Sequence, residues 1–255
     1  MRGRENRRRL AATLCATLML ALGLAGAGAR AGEGQTAPPR VRALWLRPAD
    51  DDAASIRSGR PAGFVRLARE LWRRGVRSEE AVDYNLTPEI LATCDLVVIA
   101  GRARRYSQIE ARQLTSWVKA GGRVLVLAGF GGPAESPQLG KLTVAFGIRP
   151  SADRSTGEPE VIRDWVVHPV TRDVRAATAA RGAFLEVQAP AQVLARLEGR
   201  PVVAVAEYGR GRVAVLYSYQ LWANGPADKA ATYAEIDLED NRKLAYQLFD
   251  WLAGR

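Results

Sequence analysis

The sequence has few of the residues on which covalent catalysis and metal binding rest. It holds one histidine, His168, and two cysteines, Cys15 and Cys94, in 255 residues. Aromatics make up only 7%. One histidine limits any nucleophile–base pair of the usual kind to His168. A zinc site made by one chain would need carboxylates for its other ligands, so no metal is expected. Cys15 lies in an N-terminal apolar run without a lipobox around it. Cys94 is the remaining thiol, so an intrachain disulfide after that run is excluded and the fold must rest on its core. Nothing beside Cys94 suggests an activating base, and a half-buried thiol is the ordinary expectation there. A long apolar span is also missing. Leu10 to about Ala27 is short and rich in Ala and Gly, which disfavours a stable membrane span.

What is present at the N-terminus reads as targeting. Arg2, Arg4, Arg7, Arg8 and Arg9 precede the apolar run, and Ala29-Arg30-Ala31 offers an A-x-A site. Residues 1–31 are therefore expected to be a signal peptide cleaved before Gly32, the competing reading being an uncleaved anchor. Asn6-Arg7-Arg8-Arg9-Leu10 loosely resembles a twin-arginine signal. The expected location is exported, periplasmic or extracellular. The whole chain carries +10, and residues 1–31 hold six Arg and one Glu, so the remainder carries about +5. That charge is diffuse and accompanies no RNA- or DNA-binding motif, so nucleic acid is not an expected partner.

After a polar linker at 32–40 comes a folded region, 41–255. Val41 to Leu46 reads as a strand, and Phe64, Leu67, Leu71 and Trp72 place a helix over Pro61 to Arg74. A weaker strand is predicted near Ala81 to Tyr84, and a short helix over Thr87 to Ala92. Leu96 to Ala100 is a continuous apolar run, as in a strand buried on both faces. Ser107 and Glu110 form a capping box that opens the next helix. Val124 to Leu127 is another central strand. Leu139 to Phe146 reads as a helix, and Ser151 to Pro159 as a polar insertion. The second half turns β-rich, with strands near 184–187, 193–197, 202–207 and 212–217. Tyr208-Gly209-Arg210-Gly211 turns the last two into a hairpin. Asp240 to Ala253 closes the chain as a helix. Alternating strands and helices give an α/β class with a mainly parallel sheet.

Five phrases carry a resemblance: DLVVIAG, SWVKAGGRVLVLAG, HPVTRDV, PVVAVAEYGRGRVAVLYS and DNRKLAYQLFDWL. In this order they resemble the class I glutamine-amidotransferase-like domain of DUF4350 and GldG-like bacterial envelope proteins, with ThuA-like proteins as more distant relatives. The resemblance spans most of Val41 to Leu252. It implies a flavodoxin-like three-layer sandwich with a mainly parallel central sheet and a hairpin-rich C-terminal half. In working amidotransferases of this kind the strand corresponding to Val124–Leu127 runs into an elbow that carries a cysteine. Here the elbow reads Leu127-Ala128-Gly129-Phe130, with no Cys, Ser or Thr.

Other constellations are incomplete. Asp50-Asp51-Asp52 follows the first strand, but the further Asp that a receiver-type Mg²⁺ site needs is replaced by Gly101-Arg102. Gly129-Phe130-Gly131-Gly132 lacks the Lys-Ser/Thr ending of a P-loop. No cofactor is expected. Doubly wound sheets bind ligands at the carboxyl ends of their strands, which predicts a rim of Asp50, Arg102 and Phe130, joined by His168 unless that residue instead caps or hydrogen-bonds the loop beside Pro169. Tyr217, Tyr219, Trp222 and Asn224, if exposed, have the chemistry of a sugar-stacking or partner-binding surface; the competing reading turns alternate residues of this stretch to the core. The reading is of an exported, non-catalytic domain that binds an envelope protein or a small ligand such as a carbohydrate. Contact with the membrane would come only through an uncleaved signal. Two others stand beside it: a hydrolase or ThuA-like carbohydrate-active enzyme using His168, and a carbohydrate-binding module using Trp222 and Asn224.

Overall fold

Residues 41–47, 54–82, 84–100, 104–129, 136–155, 158–225 and 236–255 are described by the computed structural model. All belong to the unit that runs from residue 37 to 255. The expected signal peptide and linker, residues 1–40, lie outside the described residues.

Apolar runs of four to seven residues form the central strands. β1 (Val41–Arg47), β3 (Leu96–Ile99) and β4 (Arg123–Leu127) are buried along nearly their whole length. β2 (Val76–Val82) flanks β1. The helices between them are α1 (Val65–Arg73), α2 (Pro88–Leu91) and α3 (Gln108–Lys119). Then follow α4 (Ser136–Thr143), a 3₁₀ turn at Val144–Phe146, β5 (Ile148–Arg154), β6 (Glu160–Ile162) and β7 (Asp164–Trp165). β8 (Ala177–Ala179), β9 (Ala183–Val187), β10 (Gln192–Leu197), β11 (Arg200–Tyr208) and β12 (Gly211–Leu216) lead to α5 (Asn241–Ala253).

The main sheet has eight strands in the order β2-β1-β3-β4-β12-β11-β10-β7. β2, β1, β3, β4 and β12 run parallel, and β12 through β7 pair antiparallel. The chain steps from β1 out to β2, then back across β1 to β3 and on to β4. With right-handed crossovers this reversal puts α1 on one face and α2 and α3 on the other. α5 joins α1, since Phe64 and Phe249 pack on Trp45 of β1 with centroids 5.5 Å and 6.4 Å away. The result is a mixed α/β, flavodoxin-like fold with many hairpins in its C-terminal half. Two small sheets, β5–β9 and β6–β8, complete it. No helix among the described residues is long and apolar enough to cross a membrane.

Three elements depart from expectation. The strand after α1 is Val76–Val82 rather than Ala81–Tyr84. Its sequence VRSEEAV has little apolar alternation because it lies at the sheet edge, with solvent beside its outer residues. Ser151–Arg154 ends β5, because a two-stranded sheet tolerates polar residues on its open face. Trp72 is 49% exposed, so the apolar face of α1 rests on Phe64, Leu67 and Leu71.

Candidate functional site

The sheet reversal gathers the carboxyl ends of β1, β3, β4 and β12, and the elbow after β4 is the centre of this edge. Ala128 N donates to Leu216 O at 2.9 Å, and Tyr219 N donates to Ala128 O at 2.9 Å, so β4 and the end of β12 leave the sheet together. Gly129 has φ +89°, a region that L side chains rarely adopt. A Cβ at Gly129 would lie 2.6 Å from Arg181 O and 2.8 Å from Tyr217 O. A side chain at this turn would run into this chain's own backbone.

That backbone is a strap, residues 180–183, between β8 and β9. Ser218 Oγ donates to Ala180 O at 2.6 Å, and Ala183 N donates to Tyr217 O at 2.8 Å. Gly182 N donates to Ser155 Oγ at 2.9 Å, while Ser155 N returns a 3.0 Å bond to Gly182 O. Gly182 lies flat on the Tyr217 ring, and any Cβ there would collide with it. Arg154 Nη1 donates to Gly129 O at 3.2 Å. Burial raises the Tyr217 phenol well above its ordinary value, and nearby Glu160 adds to the rise. Glu160 is itself raised, first by burial and further by Glu198, against a hydrogen bond from Ser155. A phenol kept neutral and a carboxyl of raised pKa make a poor nucleophile pair.

His168 is placed elsewhere. It caps the 3₁₀ turn Pro169–Thr171, with Nδ1 accepting from Val170 N at 3.1 Å and His168 N donating to Thr171 Oγ1 at 3.0 Å. Its ring stands edge-on to Trp251, centroids 5.6 Å apart, and Arg212 covers the same indole at 5.2 Å. Arg212 pairs in register with Arg123, at the amino end of β4. Gly129 lies past the other end of that strand, about 20 Å away at ~3.3 Å per residue. The expected rim containing His168 is therefore corrected. The irregular passage from β7 to β8 delivers His168 to the opposite end of the sheet. Burial lowers its pKa, with Arg212 acting the same way against Glu207.

Trp222 and Asn224 sit on the α1–α5 side, inside the protein. Trp222 is 0% exposed, donates from Nε1 to Asn241 O at 3.0 Å and packs on Phe249. Tyr217 and Tyr219 are buried too. The aromatic stretch thus differs from the exposed surface expected of it, because α1, α5 and the loop before α1 close over it. Asn224 Oδ1 accepts from Arg66 N at 3.0 Å, and Nδ2 donates to Ser58 O at 2.7 Å and Arg60 O at 2.8 Å. Both residues position the structure and leave no ring face or free amide for a ligand.

Asp50, Arg102 and Phe130 lie outside the described residues. In sequence they follow β1, β3 and β4, which are neighbours in the sheet. Two ion pairs at the same edge were not anticipated. Arg47, closing β1, pairs with Glu80 of β2 at 3.2 Å, and Glu80 also accepts from Ile56 N at 3.2 Å. Arg104 pairs with Glu110 of α3. Burial pushes Glu110 up, but Arg104, the N–H groups of Ser107 and Leu86 and the Ser107 hydroxyl outweigh it and hold the carboxyl down to about 2. The capping box foretold Glu110's backbone role; nothing in the sequence foretold its ion pair.

Two features lie apart from this edge. Pro88 and Leu91 of α2, Ala92 just after it, and Arg112, Gln113, Ser116 and Trp117 of α3 line a groove of about 420 Å³. Burial raises the Cys94 thiol to about 11, which makes it unreactive at neutral pH. Among the described residues, no three His, Cys, Asp or Glu side chains are grouped to hold a metal ion.

Comparison with known proteins agrees with this architecture. The N-terminal domain of mmIFT52 superposes with TM-score 0.63 at 22% identity, covering 84% of this chain and 98% of that one. A ThuA-like protein from Bacteroides uniformis ATCC 8492 gives 0.55 at 14% identity, with 89% and 95% covered. A cytoplasmic protein from Salmonella typhimurium LT2 gives 0.54 at 13%, with 84% and 97% covered. At such identities the likeness concerns the fold alone. No curated protein matches the chain. The family described as a domain of unknown function, DUF4350, matches residues 57–249, the stretch that holds the sealed elbow, the strap and His168, and the chain belongs to that family.

Proposed function

We propose that this chain is an exported, non-catalytic domain that binds a protein partner or small ligand in the bacterial cell envelope. The observation that carries the reading is the sealed elbow: Gly129 has no nucleophilic side chain, and a Cβ there would press on Arg181 O at 2.6 Å and Tyr217 O at 2.8 Å. The resemblance to class I amidotransferase-like and GldG-like envelope proteins supports the setting, as does the signal-like pattern of residues 1–31. His168 speaks against the hydrolase reading. Its Nδ1 is engaged by Val170 N, and it packs on Trp251 at the far end of the sheet.

The ligand contacts belong at the carboxyl edge, with Asp50, Arg102 and Phe130 as the contacting residues. Trp222 and Asn224 support that edge from beneath by holding α5 and the loop before α1. The test has three arms. A fusion of residues 1–40 to alkaline phosphatase should be active in the periplasm. A Phe130→Ala/Arg102→Glu bait should lose what the wild-type bait retains from envelope extract, and equal retention would remove the edge from consideration. Turnover of ester, amide or glycoside probes that vanishes in His168→Ala would overturn the non-catalytic reading.

A further inference from the structure

Unpaired sheet edges are templates for another strand. Among the described residues β2 bonds only to β1 and forms one edge of the eight-stranded sheet. Val41 N donates to Gly75 O, and Val41 stands in register with Val76. In a parallel ladder the main-chain groups of alternate residues point to the same neighbour. This parity turns Arg77, Glu79 and Ala81 toward β1. It turns the N–H and C=O of Val76, Ser78, Glu80 and Val82 outward. The Ser78 hydroxyl is buried there without a hydrogen-bond partner.

The side chains select what can bind this edge. An antiparallel partner must bring outward-facing residues against outward-facing residues. Pairing β2 with its own copy about Glu79 or Glu80 sets a glutamate opposite itself, which is unfavourable. Pairing about Ser78 sets Arg77 opposite the second copy's Glu79 and Glu79 opposite its Arg77. The pairs Val76–Glu80, Ser78–Ser78 and Glu80–Val76 then exchange main-chain hydrogen bonds. In one chain Arg77 and Glu79 already bond each other at 2.9 Å, both more than half exposed. Exchanging partners across the edge therefore exposes no new charge.

We propose that β2 pairs antiparallel with β2 of a second copy of this chain, about a two-fold axis at Ser78. The interface is isologous, as is usual for closed dimers. The sheet of one copy continues into that of the other, and the two carboxyl edges face opposite directions.

The test is sedimentation equilibrium on the full chain, with circular dichroism to confirm that each variant is folded. The wild type should sediment as a dimer. Arg77→Glu and Glu79→Arg each set like charges opposite one another at both contacts. Each should weaken the dimer by roughly tenfold. The double exchange, Arg77→Glu with Glu79→Arg, should restore it. Ser78→Pro removes an outward N–H without touching the β1 ladder and should give a folded monomer. A wild-type monomer at every concentration would overturn the proposal. So would a dimer that these substitutions leave intact. Protection of the Ser78 amide from hydrogen exchange only when envelope extract is added would assign the edge to a foreign strand instead.

Discussion

Asn224 Oδ1 caps helix α1 by accepting a hydrogen bond from Arg66 N, 158 residues earlier in the chain. Phe64 stands at the N-cap of that helix and offers no side-chain acceptor. The cap is therefore a tertiary interaction, and the same amide also fixes Ser58 O and Arg60 O. Asn224→Ala strands those groups together and should cost about 3 kcal/mol in urea unfolding. Asn224→Asp keeps the acceptor but loses both donors, so it should fall between the two.

Gly129→Cys places a thiol at the elbow and should not confer activity. The new Cβ meets two carbonyl oxygens, and φ +89° strains any L side chain. Stability should fall by about 3 kcal/mol, with no turnover of ester or amide probes. A stable, active variant would show that the strap yields easily.

His168 gives the protein a pH-dependent stability of known sign. Its folded pKa lies below the ordinary 6.5, so the unfolded chain binds the proton more readily. The contribution is present above pH 6.5 and is lost as pH falls through the lowered value. Melting curves of wild type and His168→Asn, which keeps a cap acceptor, should converge at acid pH and diverge above it. Parallel curves at all pH values would contradict the lowered pKa of the half-buried imidazole.

Glu110 acts lower on the pH scale. Its carboxyl is held at about 2 against an ordinary 4.5, so its contribution is complete above 4.5 and is lost as pH falls toward 2. Glu110→Gln should flatten the acid limb of the stability profile. Glu110→Ala, which leaves Arg104 and the N–H of Leu86 without their acceptor, should cost about 3 kcal/mol at neutral pH.

These residues also show how far the sequence could be read. β3, β4 and the capping box of α3 are legible because each is written in consecutive residues: an unbroken apolar run, or Ser107 and Glu110 three apart. β2 is expected too late, near Ala81 to Tyr84, because VRSEEAV at an edge needs no apolar face. The sequence leaves Trp222 and Asn224 open between surface and core because what covers them comes from elsewhere. The loop at 58–66 and α5 arrive from far along the chain, and no local period records their arrival. The same reason lies behind the expectation of His168 on the carboxyl rim. The short strands β6 to β8 carry His168 across the molecule, and their path follows from packing. The missing nucleophile was plain in the sequence, whereas the strap that fills its place was not.

The strap gives the absence a different weight. Main chain, rather than a bulky side chain, occupies the space at Gly129, so no single codon change could reopen it. Opening the elbow would require rerouting the short β8–β9 connection, which Ser155 and Ser218 anchor, as well as supplying a nucleophile. What closes this elbow is thus the path of the chain, and supplying a nucleophile alone would leave it closed.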